Sequence, residues 1–148
     1  MNRKYLTLTA AKGNPIPHIV NWYGKLDVEK INRKDYRKIS GPLLLDMRSG
    51  RDVIYPDIIT DPVLMVSEEA MEVIKLYARQ MPFLFLVLFD QGRQESRSYF
   101  CPILKEEAGE AIYRIKHSEE YEIRICEELA ESLLDRGAVG MELGKCEI

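Results

Sequence analysis

Nowhere does the sequence hold an apolar run approaching the roughly 20 residues that a membrane-spanning helix requires, so no membrane partner is expected. The opening MNRKYLTLTAAKG also lacks the long apolar segment of a secretory signal, and a cytoplasmic location is the expectation. Cysteine is scarce: Cys101, Cys126 and Cys146 are three in number and far apart. That excludes a disulfide framework and any CxxC metal site, leaving reduced thiols as the expectation. Histidine is scarcer still, with His18 and His117 alone. Neither has a second ligand at HxxxH or HExxH spacing, and no G-x-S-x-G elbow, P-loop or G-x-G-x-x-G occurs, so neither cofactor nor metal is expected.

What is present suits one domain over residues 1–148, a length that buries about 70% of the surface its unfolded chain exposes. Apolar residues make up 46% of the chain and charged ones 30%, a globular rather than disordered balance. The net charge of -3 hides a split. Residues 1–55 hold 11 Lys or Arg against 5 Asp or Glu, whereas 56–148 hold 10 against 19. An asymmetry of that kind steers a charged partner if it persists in space.

Periodicity gives an α+β fold. Tyr5 to Thr9 alternates as a strand, and AKGNPIPHIVNWYGKLD reads as a loop crossing a surface. From Asp27 to Ile39 the pattern fits a short helix or two turns with Val28, Ile31 and Tyr36 inward. LLLDM after Gly41-Pro42 is a strand, and RSGRD turns into VIY as a hairpin. Val63 to Val66 is a short buried strand. Ser67 then caps a helix whose first turn carries Glu68 and Glu69, favoured there by the helix dipole. Ala70, Met71, Ile74, Tyr77 and Ala78 form its buried stripe.

Phe83 to Phe89 (FLFLVLF) is seven consecutive apolar residues, which predicts a central strand covered on both faces. RSYFCPIL returns as its partner, with Pro102 pointing to an edge or a bulge. Ile112 to Lys116 and Tyr121 to Ile125 are further strands. A second acidic helix follows, with Leu129, Ala130, Leu133 and Leu134 inward and Gly137 as its C-terminal cap. Val139, Met141 and Leu143 alternate as a closing strand. The expectation is a mixed, mainly antiparallel sheet with two acidic amphipathic helices packed on it, built from strand-helix-strand units near 63–89 and 121–143.

Few groups in this pattern offer chemistry. Asp57 and Asp61, four apart, are possible paired carboxylates with His18 as a base, but no nucleophile or metal partner accompanies them, and Asx-turn chemistry is the favoured reading. Lys30, Arg33, Lys34, Arg37 and Lys38 cluster around Tyr36, which makes nucleic-acid binding a third and weaker reading beside a solvated basic face. Trp22 and Tyr23 fit either a core plug or an interface anchor. His18, Trp22, Tyr23, Asp57 and Asp61 are therefore the candidate partner-binding residues.

Three segments together, VNWYGKLDVEKINRKDY at 20–36, YPDIITDPVLMVSE at 55–68 and ICEELAESLLDRGAVGMEL at 125–143, resemble a bacterial family described as immunity proteins of polymorphic toxin systems, long known only as a domain of unknown function. Cys126 stands where that pattern has Ser. The resemblance implies a cytoplasmic, non-enzymatic protein that binds a cognate toxin and neutralises it by occlusion. The alternative is a small ligand-binding domain or enzyme centred on Asp57, Asp61 and His18.

Overall fold

The computed structural model describes residues 3–11, 18–20, 26–39, 41–48, 55–118 and 120–146. Among these, ten strands and two α-helices form two sheets in an α+β arrangement: β1 (Tyr5–Ala10), β2 (His18–Val20), β3 (Leu43–Arg48), β4 (Ile58–Ile59), β5 (Met65–Val66), α1 (Glu68–Tyr77), β6 (Phe83–Asp90), β7 (Glu95–Pro102), β8 (Ile112–His117), β9 (Glu120–Cys126), α2 (Glu127–Asp135) and β10 (Met141–Lys145). The smaller sheet has the order β10-β1-β9-β8 and the larger β2-β3-β6-β7-β5-β4. Every described pairing is antiparallel except that of β3 with β6.

The two strand-helix-strand units share one geometry. β5 and β6 both run antiparallel to β7, which lies between them, so they are parallel to each other and α1 crosses over from one to the other. In the same way β9 and β10 flank β1 antiparallel to it, and α2 makes the crossover. Each unit is thus a split β-α-β with one strand inserted.

Helix starts follow their capping chemistry. Ser67 sits in extended geometry and its Oγ accepts from the Ala70 amide, which satisfies one of the free donors of the first turn. The same hydroxyl donates to Asp57 Oδ1 at 2.6 Å. Cys126 has the backbone of a cap but makes no side-chain capping bond. The two helix starts are therefore unequal: Ser67→Ala is expected to cost about 1–2 kcal/mol in chemical denaturation. A cost below a few tenths would show that the cap is not used.

The larger core lies between the two helices and the sheets. It takes Leu8 from β1, Ile74 from α1, Ile112 and Ile125 from β8 and β9, and Leu129 from α2. A second core covers the opposite face of the larger sheet, where Leu45, Leu86, Leu88 and Cys101 meet Leu26 and Ile31. Leu26 and Ile31 belong to residues 26–39, which form two 3-10 turns, Val28–Lys30 and Tyr36–Lys38, with Ile31 only 1% exposed and Val28 and Tyr36 half-buried.

Several expectations need correction. The buried stripe of α1 uses Val73, while Tyr77 is exposed and bonds Ser132 on α2 through its hydroxyl. Leu134 is 51% exposed, because it lies off the stripe of Leu129, Ala130 and Leu133 that α2 buries. Val139 precedes β10 and is exposed. The strand at Val63 to Val66 is regular only over Met65–Val66, although all four residues are buried. Pro102 marks neither an edge nor a bulge: β7 lies between β6 and β5, and Pro102 is its last residue, where the lack of an N–H costs the ladder little. RSGRD falls largely outside the described residues, and β3 pairs with β2 and β6.

Candidate functional site

FLFLVLF occupies the middle of the larger sheet, but it is not covered on both faces. Leu84, Leu86 and Leu88 are buried in the second core, whereas Phe83, Val87 and Phe89 are half-buried and Phe85 is 36% exposed. Strand alternation places all four on one face. The cause lies in lengths. A ten-residue helix spans about 15 Å, and an eight-residue strand about 26 Å. So α1 shields one end of the face, where Phe83 and Phe100 join the helix-side core and Lys75 stands over the Phe83 ring. Beyond that end, Phe85 stacks obliquely on Phe100 with centroids 5.3 Å apart.

Register extends the same face sideways. Val87 faces Leu44 on β3 and Ser98 on β7, and Phe89 faces Asp46 and Ser96. Leu44 is 54% exposed. The result is an open apolar strip, Leu44, Val87 and Phe85, bordered by serine hydroxyls on β7. Exposed Leu76 on α1 adds a further apolar group on the adjoining helix. Glu68, Glu69 and Glu72 of α1, with Glu128 and Glu131 of α2, are exposed as well, so the two touching helices carry an acidic surface. Only part of the charge asymmetry thus becomes spatial. Arg33, for example, is spent on Glu110 at 2.8 Å and on the Ile103 carbonyl.

The residues singled out in the sequence are not assembled into one pocket. Asp57 is a structural knot: Oδ1 accepts from Ser67 Oγ and Oδ2 from the Val139 amide at 2.7 Å. Its backbone also bonds Val139 and Ser67, so it fastens the start of α1 to the segment before β10. Gly140 continues this close approach, for a Cβ there would collide with Pro56, and its φ of +89° suits glycine. Asp57 lines a shallow depression of about 270 Å³ with Ser67, Glu68, Arg97 and Tyr99. Asp61 does not line it; it is exposed at the cis Asp61-Pro62 turn. His18 begins β2 opposite Arg48, on the outer strand of the larger sheet, with four strands between it and β4, which follows Asp57. Trp22 and Tyr23 lie outside the described residues.

Reactive groups are equally dispersed. Among the described residues, no three His, Cys, Asp or Glu gather as a metal would require. Burial pushes the Cys101 thiol up to about 12, with nearby Arg114 opposing only weakly, and burial also raises Cys126. In the native protein at pH 8, a thiol reagent is expected to modify half-buried Cys146 alone, and rapid modification of all three would contradict the packing. The sign for stability follows. Cys101 ionises near 9 when unfolded but not when folded, so its contribution is intact below pH 9 and is lost as pH rises towards 12.

The open strip was missed in the sequence because an unbroken apolar run carries no mark of which face is buried. The one available signal was length: α1 is too short to shield the strand it precedes. No protein-family model matches the chain, and no curated protein matches it. Among the described residues no helix is long and apolar enough to cross a membrane.

Proposed function

We propose that this chain is an immunity protein that binds a cognate bacterial toxin in the cytoplasm and neutralises it by occlusion. The observation that supports this reading best is the half-uncovered central strand. Phe85 and Leu44 expose apolar surface in the middle of a sheet whose other face buries Leu84, Leu86 and Leu88, and such a strip with a polar margin suits a protein partner. A flat face of this kind offers no enclosure for a small substrate. It does offer aromatic and aliphatic anchors on rigid strands, which is how binding energy is concentrated at protein interfaces. The acidic helix surface favours a partner with complementary basic charge and speeds the encounter.

The resemblance of the three segments to immunity proteins supplies the class of partner, and the strip supplies the means. A toxin held against it would be blocked by the bulk of the two sheets, with no chemical step needed. The test is co-expression with the products of adjacent genes, read as co-purification and as rescue of growth. A stable complex with one toxic product, and growth restored, is the expected result. Failure to bind any of them, with toxicity undiminished, would contradict the proposal.

A further inference from the structure

A partly enclosed pocket of about 80 Å³ lies between the two sheets, and one charged group stands in its wall. That group is Arg114 on β8, which is 4% exposed. An arginine guanidinium carries five N–H donors and no acceptor, and it stays charged inside a protein. The described bonds engage Nη2 alone, with the Ile31 carbonyl at 2.6 Å and the Glu106 carboxylate at 3.3 Å. Glu106 is itself 46% exposed, so its charge is shared with solvent. Nε is buried and finds no acceptor among the described residues. The Tyr121 ring covers one face of the guanidinium, with its centroid 3.8 Å from Cζ. A buried cation with its Nε unsatisfied costs stability, and an acceptor in the pocket would relieve that cost.

The remaining walls define what else such an acceptor must be. Val63, Leu64, Leu104 and Ile123 supply the apolar part of the wall. Thr60 and Tyr121 are the other lining side chains with a hydroxyl hydrogen to give. Thr60 Oγ accepts from the Ala10 amide at 3.3 Å, which leaves its own O–H able to donate elsewhere. Val28, Thr60, Pro62 and Tyr121 are half-buried and form the way in.

We propose that this cavity is a binding site for a short aliphatic monocarboxylate, its carboxylate against the Arg114 guanidinium and its one- or two-carbon chain against Val63, Leu64, Leu104 and Ile123. Size sets the upper limit, since a cavity of about 150 Å³ accepts benzene and this one is about half as large. Phosphate and sulfate fit poorly, because the apolar walls would strip their remaining oxygens of water without replacing it. The carboxylate-guanidinium pair supplies the specificity, and a ligand of so few atoms reaches a Kd of about 1 mM. This site is independent of the open sheet strip and of any toxin.

The experiment uses the full chain and four probes: sodium propionate, propionamide, sodium pivalate and sodium chloride, each at about 20 mM and matched ionic strength. Propionate is expected to raise Tm by about 2–6 °C over chloride. Propionamide, neutral but of the same shape, and pivalate, charged but too wide, are expected to leave it unchanged. Saturation-transfer NMR should show the propionate methyl receiving magnetisation, and Arg114→Met should lose that transfer. The wild-type comparison stands even if Arg114→Met fails to fold. Equal responses to propionate and propionamide would overturn the carboxylate assignment, and equal responses to propionate and pivalate would reduce it to a bulk salt effect. No response to any probe would mean that the cavity holds water only.

Discussion

Phe85→Glu is expected to weaken the complex with the partner by about 30- to 1000-fold while shifting Tm by only a few degrees. The magnitude follows from what alanine and charge substitutions do at the centre of interfaces, where one aromatic anchor carries about 2–4 kcal/mol and a buried unpaired carboxylate adds its own desolvation. The modest effect on folding follows from position. Phe85 is 36% exposed and its face is open, so a glutamate there can reach water in the free protein. What folding loses is the oblique contact with Phe100 and part of the strand's apolar cover. Leu44→Asp, at a side chain 54% exposed on the neighbouring strand, should act in the same direction with less cost still. The paired measurement is affinity by calorimetry and Tm by scanning on the same preparations. A mutant that binds normally, or one that merely unfolds, would remove Phe85 from the interface.

Asp57→Ala is expected to do the reverse, lowering stability by about 2–3 kcal/mol and Tm by about 5–10 °C, with partner affinity kept in the protein that remains folded. Its carboxylate accepts from Ser67 Oγ and from the Val139 amide, joining the cap of α1 to the lead-in of β10. Removing it leaves the Val139 amide and a capping hydroxyl without their acceptor, and the two split β-α-β units lose a shared tie. Asp57→Asn should recover part of the loss, since the amide oxygen can still accept one of the two bonds. If Asp57→Ala instead left Tm unchanged and abolished a measurable activity, Asp57 would belong to a functional site and the alternative centred on Asp57, Asp61 and His18 would gain its first support.

These two residues also mark how far the sequence alone could be read. Ser67 with Glu68 and Glu69 announced a helix start correctly, because capping and dipole chemistry act within one turn and need no knowledge of the rest of the chain. The strands at Tyr5, Phe83, Ile112 and Tyr121 were legible for the same reason, their period being local. Pairing was not. That β1, from the start of the chain, inserts between β9 and β10 near its end is decided by contacts more than 100 residues apart. Nor could a single sheet be told from two, since alternation within a strand is the same in either.

Asp57 is visible as a carboxylate in a Pro-rich turn, but it does not make the expected Asx turn: its carboxylate serves the Ser67 hydroxyl and the Val139 amide rather than an amide of its own turn. Its partner Val139 lies 82 residues on and could not be foreseen. Phe85 was hidden more thoroughly. Seven apolar residues in a row look the same whether a second layer of the fold or another molecule covers the odd-numbered face. Arg114 was equally silent: in the strand IYRIKH it reads as a solvent-facing charge, and only the crossing of residues 26–39 over that end of the sheets buries it.

Side-chain footprinting of the chain free and bound to whichever partner co-expression identifies tests the central claim most directly. In the free protein Leu44 and Phe85 are expected to be labelled and Leu86 to be silent. On complex formation labelling at Leu44 and Phe85 is expected to fall several-fold, with Glu-rich α1 and α2 affected at their margins. Unchanged labelling at Leu44 and Phe85 in a verified complex would place the partner elsewhere and contradict the account.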